Sequence, residues 1–110
     1  MSDPPEIAKL QAMAAQLAHP SGEAGTAIAA NMNVANARLA ERAIAALAIA
    51  PGQSVVEIGP GNGRLSMELV RQLGEGGRYT AIELAPDMAR ECRTNLSEVS
   101  PCAVTVRNVD

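Results

Sequence analysis

The residues best suited to chemistry lie in one short stretch, Val55-Val56-Glu57-Ile58-Gly59-Pro60-Gly61-Asn62-Gly63. A brief apolar run passes directly into three alternate glycines, and Leu65, Leu69, Val70 and Leu73 then recur at helical spacing. A strand that enters a glycine turn and leaves as a helix suits a nucleotide-containing cofactor, because glycine permits the sharp turn and lets the backbone approach the ligand. Two carboxylates flank the turn. Glu57 sits inside the apolar run, where an unsatisfied carboxylate is costly, so a ligand-binding role outweighs that of a simple turn cap. Glu83 closes a second apolar run, 20 residues after Gly63. There an acid can accept hydrogen bonds from both hydroxyls of a ribose.

The spacing separates two cofactor classes. The dinucleotide fingerprint G-x-G-x-x-G requires glycine where this sequence has Arg64, so the pattern fails at that position and a nicotinamide-dependent oxidoreductase is the less favoured alternative. The stretch from Val55 to Gly63 instead resembles the first motif of class I S-adenosylmethionine-dependent methyltransferases, in which an acid precedes the glycine turn by two positions. The resemblance implies that Glu57 helps to position the amino group of the cofactor, directly or through water. It also implies that the turn of Gly59, Pro60, Gly61, Asn62 and Gly63 lies against the methionine and ribose portion. In the same family the acid ending the second strand, here Glu83, binds the ribose, and Leu84 lies beside the adenine. The family often keeps an acid just past the third strand, facing the adenine amino group, which is the position of Asp110. A weaker likeness joins His19-Pro20-Ser21-Gly22-Glu23, Asn31-Met32-Asn33 and Asn36 to the helical lead-in of some bacterial methyltransferases of this class. Such a lead-in would cover the cofactor cleft. Together the likeness spans roughly residues 21 to 110.

Other candidates have plainer readings. Met32 and Asn36 could line a pocket, although methionine at helical spacing is usually core. Arg64 reads as a solvated helix-side residue, and His19 has no evident partner for catalysis. Cys92 lies on an apolar helical stripe and reads as a small buried hydrophobe, as does Cys102. Their spacing, with His19 the only histidine, does not suit a metal site. No catalytic base is identifiable, and methyl transfer from a sulfonium depends mainly on in-line positioning of the nucleophile.

The elements that must position these residues fall into two parts. Residues 1–50 hold 17 of the 21 alanines and read as a helical lead-in. The pattern predicts a helix from about Glu6 to Ala18, a break at His19-Pro20-Ser21-Gly22, and a short helix from Glu23 to Met32. A third helix, capped by Asn31 or Asn33, carries Leu39, Ala43 and Leu47. Pro51-Gly52 resets the periodicity, and residues 51–110 read as the first half of a Rossmann-like domain. Strands are expected at Ser54–Ile58, Tyr79–Leu84 and Ala103–Val106, with helices following the glycine turn and Pro86. This alternation predicts an α/β fold with an incomplete parallel sheet in the order 3-2-1. The resembling family has seven strands in the order 3-2-1-4-5-7-6. Strand one therefore becomes an uncovered apolar edge, and self-association or a completing chain through residues 54–58 is expected.

Composition narrows the remaining classes. The 110 residues are 47% apolar and 19% charged, as in an ordinary globular domain, with a net charge of −3 and Lys9 as the only lysine. No basic patch is available for nucleic acid. No apolar segment reaches the length of a membrane span, the first residues lack a signal-peptide pattern, and a reduced cytoplasmic setting is expected. The functional expectation is methyl transfer from S-adenosylmethionine to an unidentified acceptor. A non-catalytic cofactor-binding or interaction module is the alternative.

Overall fold

A computed structural model of the chain describes residues 5–99 and 101–109. Two helices come first, α1 (Pro5–Ala18) and α2 (Gly22–Leu47). The chain then alternates β1 (Ser54–Ile58), a 3-10 turn (Arg64–Ser66) with α3 (Met67–Leu73), β2 (Arg78–Glu83), α4 (Pro86–Ser97) and β3 (Ala103–Asn108). The strands form one parallel sheet in the order β1-β2-β3, the 3-2-1 arrangement that the alternation predicts.

The lead-in departs from expectation at one point. A short helix and a separate third helix are expected across Met32 and Asn33, yet α2 runs unbroken for 26 residues. An interior asparagine costs well under about 1 kcal/mol in a helix, and neither glycine nor proline lies between Gly25 and its end. The expected cap, Asn33, spends its side chain on a partner outside the helix instead. The bend between α1 and α2 is tight: a Cβ on Gly25 would lie 2.7 Å from the Pro20 carbonyl carbon. Gln16 closes the bend by accepting the Ser21 N–H at 2.9 Å.

The sheet alternates as a strand must. Tyr79, Ala81 and Glu83 of β2 point to one face and are buried, with Val106 of β3 on the same side. Against that face pack Leu69, Val70 and Leu73 of α3 and Ala89, Cys92 and Leu96 of α4. Ile44 of α2 joins the same core. The register Val55↔Tyr79 and Glu57↔Ala81 turns Val55 and Glu57 toward the core side, which leaves Val56 and Ile58 on the opposite face. Those two are 63% and 81% exposed. No helix among the described residues is long and apolar enough to cross a membrane.

Candidate functional site

In an open parallel sheet the ligand crevice lies beyond the carboxyl ends of the strands. Here β1 delivers Gly59 to that end, where its N–H donates to the Ile82 carbonyl at 2.9 Å. The turn then bends back through Gly59, Gly61 and Gly63, all with positive φ (73°, 61° and 80°). These three glycines do different work. A Cβ on Gly59 or Gly61 would meet nothing within 4 Å, whereas one on Gly63 would lie 2.8 Å from the Cys92 sulfur. Gly63 therefore allows the turn to pack on α4, while Gly59 and Gly61 leave bare backbone facing open space.

That space is a cavity of about 590 Å³ between the strand ends and α2. Glu57, Gly59, Pro60, Gly61, Asn62, Glu83 and Leu84 all line it, so seven of the nine residues singled out as cofactor contacts come together. Gly63 stands outside the lining. Asp110 lies outside the described residues. Met32 and Asn36 line the opposite wall from α2.

The two acids are held differently. Glu83 is buried, and its oxygens accept N–H groups from both sides of the site: Gly61 at 2.8 Å and Ala85 at 2.9 Å. It thus clamps the glycine turn to the end of β2, and each oxygen keeps a lone pair for a further donor. Glu57 accepts two hydroxyls on the same oxygen, Oε1, from Ser66 at 2.5 Å and Tyr79 at 2.6 Å. The Tyr79 hydroxyl is pushed far above its usual range by burial first and by Glu57 second, so it stays protonated and remains a donor. Burial likewise pushes the Cys92 thiol up to about 11, in keeping with its place in the core. Among the described residues no cluster of three potential ligands could hold a metal ion.

Several residues that build the site are asparagines whose roles the sequence pattern does not reveal. The Asn62 side-chain oxygen accepts from Asn33 of α2 at 2.9 Å and from the Arg64 N–H at 3.1 Å. Asn95 of α4 donates to the Asn62 carbonyl at 2.8 Å. Asn108 donates to the carbonyls of Glu83 and Leu84, fixing the end of β2. Asn62 and Asn33 fall within the stretches that resemble methyltransferase motifs, but nothing in the pattern pairs them, and Asn95 and Asn108 carry no signal. Ser66 and Tyr79 carried no signal, since hydroxyls in a turn and a strand are common.

Comparison with known proteins agrees with this geometry. The ribosomal RNA adenine dimethylase family matches residues 31–109. The biotin biosynthesis bifunctional protein BioCD of Bordetella avium is 48% identical over 59 residues, covering 54% of this chain and 12% of that protein. Ribosomal RNA small subunit methyltransferase A of Paracidovorax citrulli is 40% identical over 62 residues, 56% of this chain and 23% of that protein. The corresponding enzyme of Polaromonas naphthalenivorans is 46% identical over 55 residues, 50% of this chain and 19% of its own length. The chain thus spans less than a quarter of these relatives. Among solved structures, a protein-L-isoaspartate O-methyltransferase superposes with a TM-score of 0.58 at 22% identity, over 66% of this chain and 23% of that one. The incomplete sheet is therefore a methyltransferase fold.

Proposed function

The chain belongs to the ribosomal RNA adenine dimethylase family, a class that uses S-adenosylmethionine, and from that membership we propose that it forms the cofactor-holding part of a methyltransferase. The observation that carries this is the pairing of bare backbone at Gly59 and Gly61 with a buried acid, Glu83, on one cavity wall. The residues fit the cofactor in chemistry as well as in shape. Glu83 accepts the ribose hydroxyls on its remaining lone pairs, Leu84 offers an apolar surface to the adenine, and Glu57 faces the amino group. Asp110 is kept in the proposed set as a partner for the adenine amino group. When bound, S-adenosylmethionine supplies a methyl group activated by its sulfonium. The protein's own part is to orient it for in-line transfer.

The family name, and the relatives named for small-subunit ribosomal RNA, favour an RNA base as the acceptor. The net charge of −3, with Lys9 the only lysine, supplies no excess of positive charge for RNA. Cys92 and Cys102, both free thiols, suit a reducing, cytoplasmic setting. A second reading, a binding module inactive alone, is favoured by the exposed Val56 and Ile58 beside the unpaired edge of β1. A second copy or a completing chain would pair the edge of β1, and elements packed on the outer face of the sheet would cover both residues. A clean monomer on size-exclusion chromatography overturns self-pairing.

Calorimetric titration with S-adenosylhomocysteine tests the main proposal, with NAD as control. The wild-type chain is expected to bind S-adenosylhomocysteine and not NAD, and Glu83→Ala to lose at least about tenfold in affinity. Tighter binding of NAD would overturn the cofactor assignment.

A further inference from the structure

Glu57 is the one acid of the site whose surroundings exceed what holding the turn requires. Three elements converge on its Oε1: β1 supplies the carboxylate, β2 the Tyr79 hydroxyl, and the 3-10 turn the Ser66 hydroxyl. Tyr79 is fully buried and Ser66 is 3% exposed, so neither hydroxyl is a casual surface contact. Both distances fall in the short range of hydroxyl donors to a carboxylate. Oε2 makes no hydrogen bond among the described residues. Neither ion pair of the described chain involves Glu57, so two neutral donors hold its charge and no cation offsets it. A partly buried carboxylate with one oxygen free and no cation beside it can accept a charge-assisted hydrogen bond from a cationic ligand group.

We propose that Tyr79 and Ser66 are positioning residues that commit Oε1 of Glu57 and so aim its free oxygen at the ammonium of the cofactor's amino-acid end. This rests on the cofactor assignment made above and adds a specificity to it. The two hydroxyls govern recognition of the amino-acid tail and leave recognition of the nucleoside to Glu83 and the glycine backbone. Tyr79 suits the task because its ring is anchored in the core beside Cys92 and Leu96 while its hydroxyl reaches the site. The wild-type Tyr79 hydroxyl stays protonated, so the donor does not switch off within the working pH range.

Two ligands separate this from a merely structural role. S-adenosylhomocysteine carries the amino-acid tail, and 5′-methylthioadenosine has the same nucleoside thioether without it. Tyr79→Phe keeps the ring and removes only the donor. It is expected to weaken S-adenosylhomocysteine about tenfold and to change 5′-methylthioadenosine less than about twofold. Ser66→Ala is expected to show the same selective loss, and keeps the question answerable if Tyr79→Phe does not fold. Equal weakening of both ligands, or no weakening of either, overturns the positioning role and leaves the cofactor assignment intact. Failure of the wild-type chain to bind either ligand overturns the cofactor assignment, and the positioning role with it.

Discussion

From β1 to β3 the chain is fastened by a core in which Val70, Leu73, Tyr79 and Cys92 have no exposed surface. The helical lead-in is fastened differently, with Gly25, Ala29 and Ile44 the buried residues of α2. Other large apolar side chains of α2 stay outside: Val34 is 82% exposed and Leu39 68%. Ile44 in the main core and Ala29 against Ala85 and Met88 are its buried apolar anchors, and polar ties add to them. Gly22 at its start donates to Asp87 of α4 at 2.8 Å, and Asn33 at its middle donates to Asn62 of the glycine turn at 2.9 Å. Alanine-rich sequence suffices to make α2 a helix, but packing from the sheet half provides most of the stability. The site sits where the two modes meet, with one wall from the strand ends and one from α2, which is held by few apolar anchors and a few hydrogen bonds.

The sharpest challenge to this contrast is a pair of truncations. Leu73→Ala removes a fully buried side chain and is expected to cost about 2–5 kcal/mol by urea unfolding. Leu39→Ala, on the exposed face of α2, is expected to stay within about 0.5 kcal/mol. A large loss at Leu39 would mean that the lead-in is packed against something and is not the loosely held region described.

The glycine turn gives a finer test, since it touches both the core and the cavity. Gly63→Ala combines a positive φ with a 2.8 Å clash against the Cys92 sulfur, so a loss of about 2 kcal/mol or more is expected. Gly61→Ala has the same φ problem with open space around the new methyl, and is expected to cost only about 1 kcal/mol while abolishing S-adenosylhomocysteine binding. Thermal unfolding and calorimetry on the two variants check the split. Equal stability losses would erase the distinction between packing glycine and ligand-facing glycine.

The smallest effect concerns the polar tie at the start of α2. The Gly22 N–H, and then Arg90, hold the Asp87 carboxyl below the ordinary carboxylate range. A group with a depressed folded pKa contributes stability above its unfolded pKa and loses that contribution as pH falls through the folded value. Wild type is therefore expected to be slightly more stable than Asp87→Asn at about pH 6, with the gap closing below about pH 4. Paired urea titrations across that range check it. The Asp87 side chain is 30% exposed, and a gap that persists at low pH would point to packing and not to charge.

Local pattern was enough to read much of the molecule. The run Ser54–Ile58, the glycine turn and the apolar stripe of Met88, Cys92 and Leu96 each announce their element through a short-range periodicity. The alternation of these elements then leads to a parallel sheet in the order 3-2-1. Glu57 and Glu83 stood out because a charge inside or at the end of an apolar run needs a reason. The break expected within α2 failed because an asparagine that looks like a cap can remain in a helix when a distant partner takes its side chain, as Asn62 takes Asn33.

The sequence by itself determined the strands, the turn and its two acids, since these follow from residue type and spacing along a few turns of chain. Only the tertiary structure decided which glycine packs and which faces the cavity, that α2 closes one wall, and that Tyr79 and Ser66 share one oxygen of Glu57. Those facts depend on atoms far apart in the chain, 29 residues for Asn33 and Asn62 and 65 for Gly22 and Asp87, brought together by sheet register and helix packing. No local periodicity encodes them.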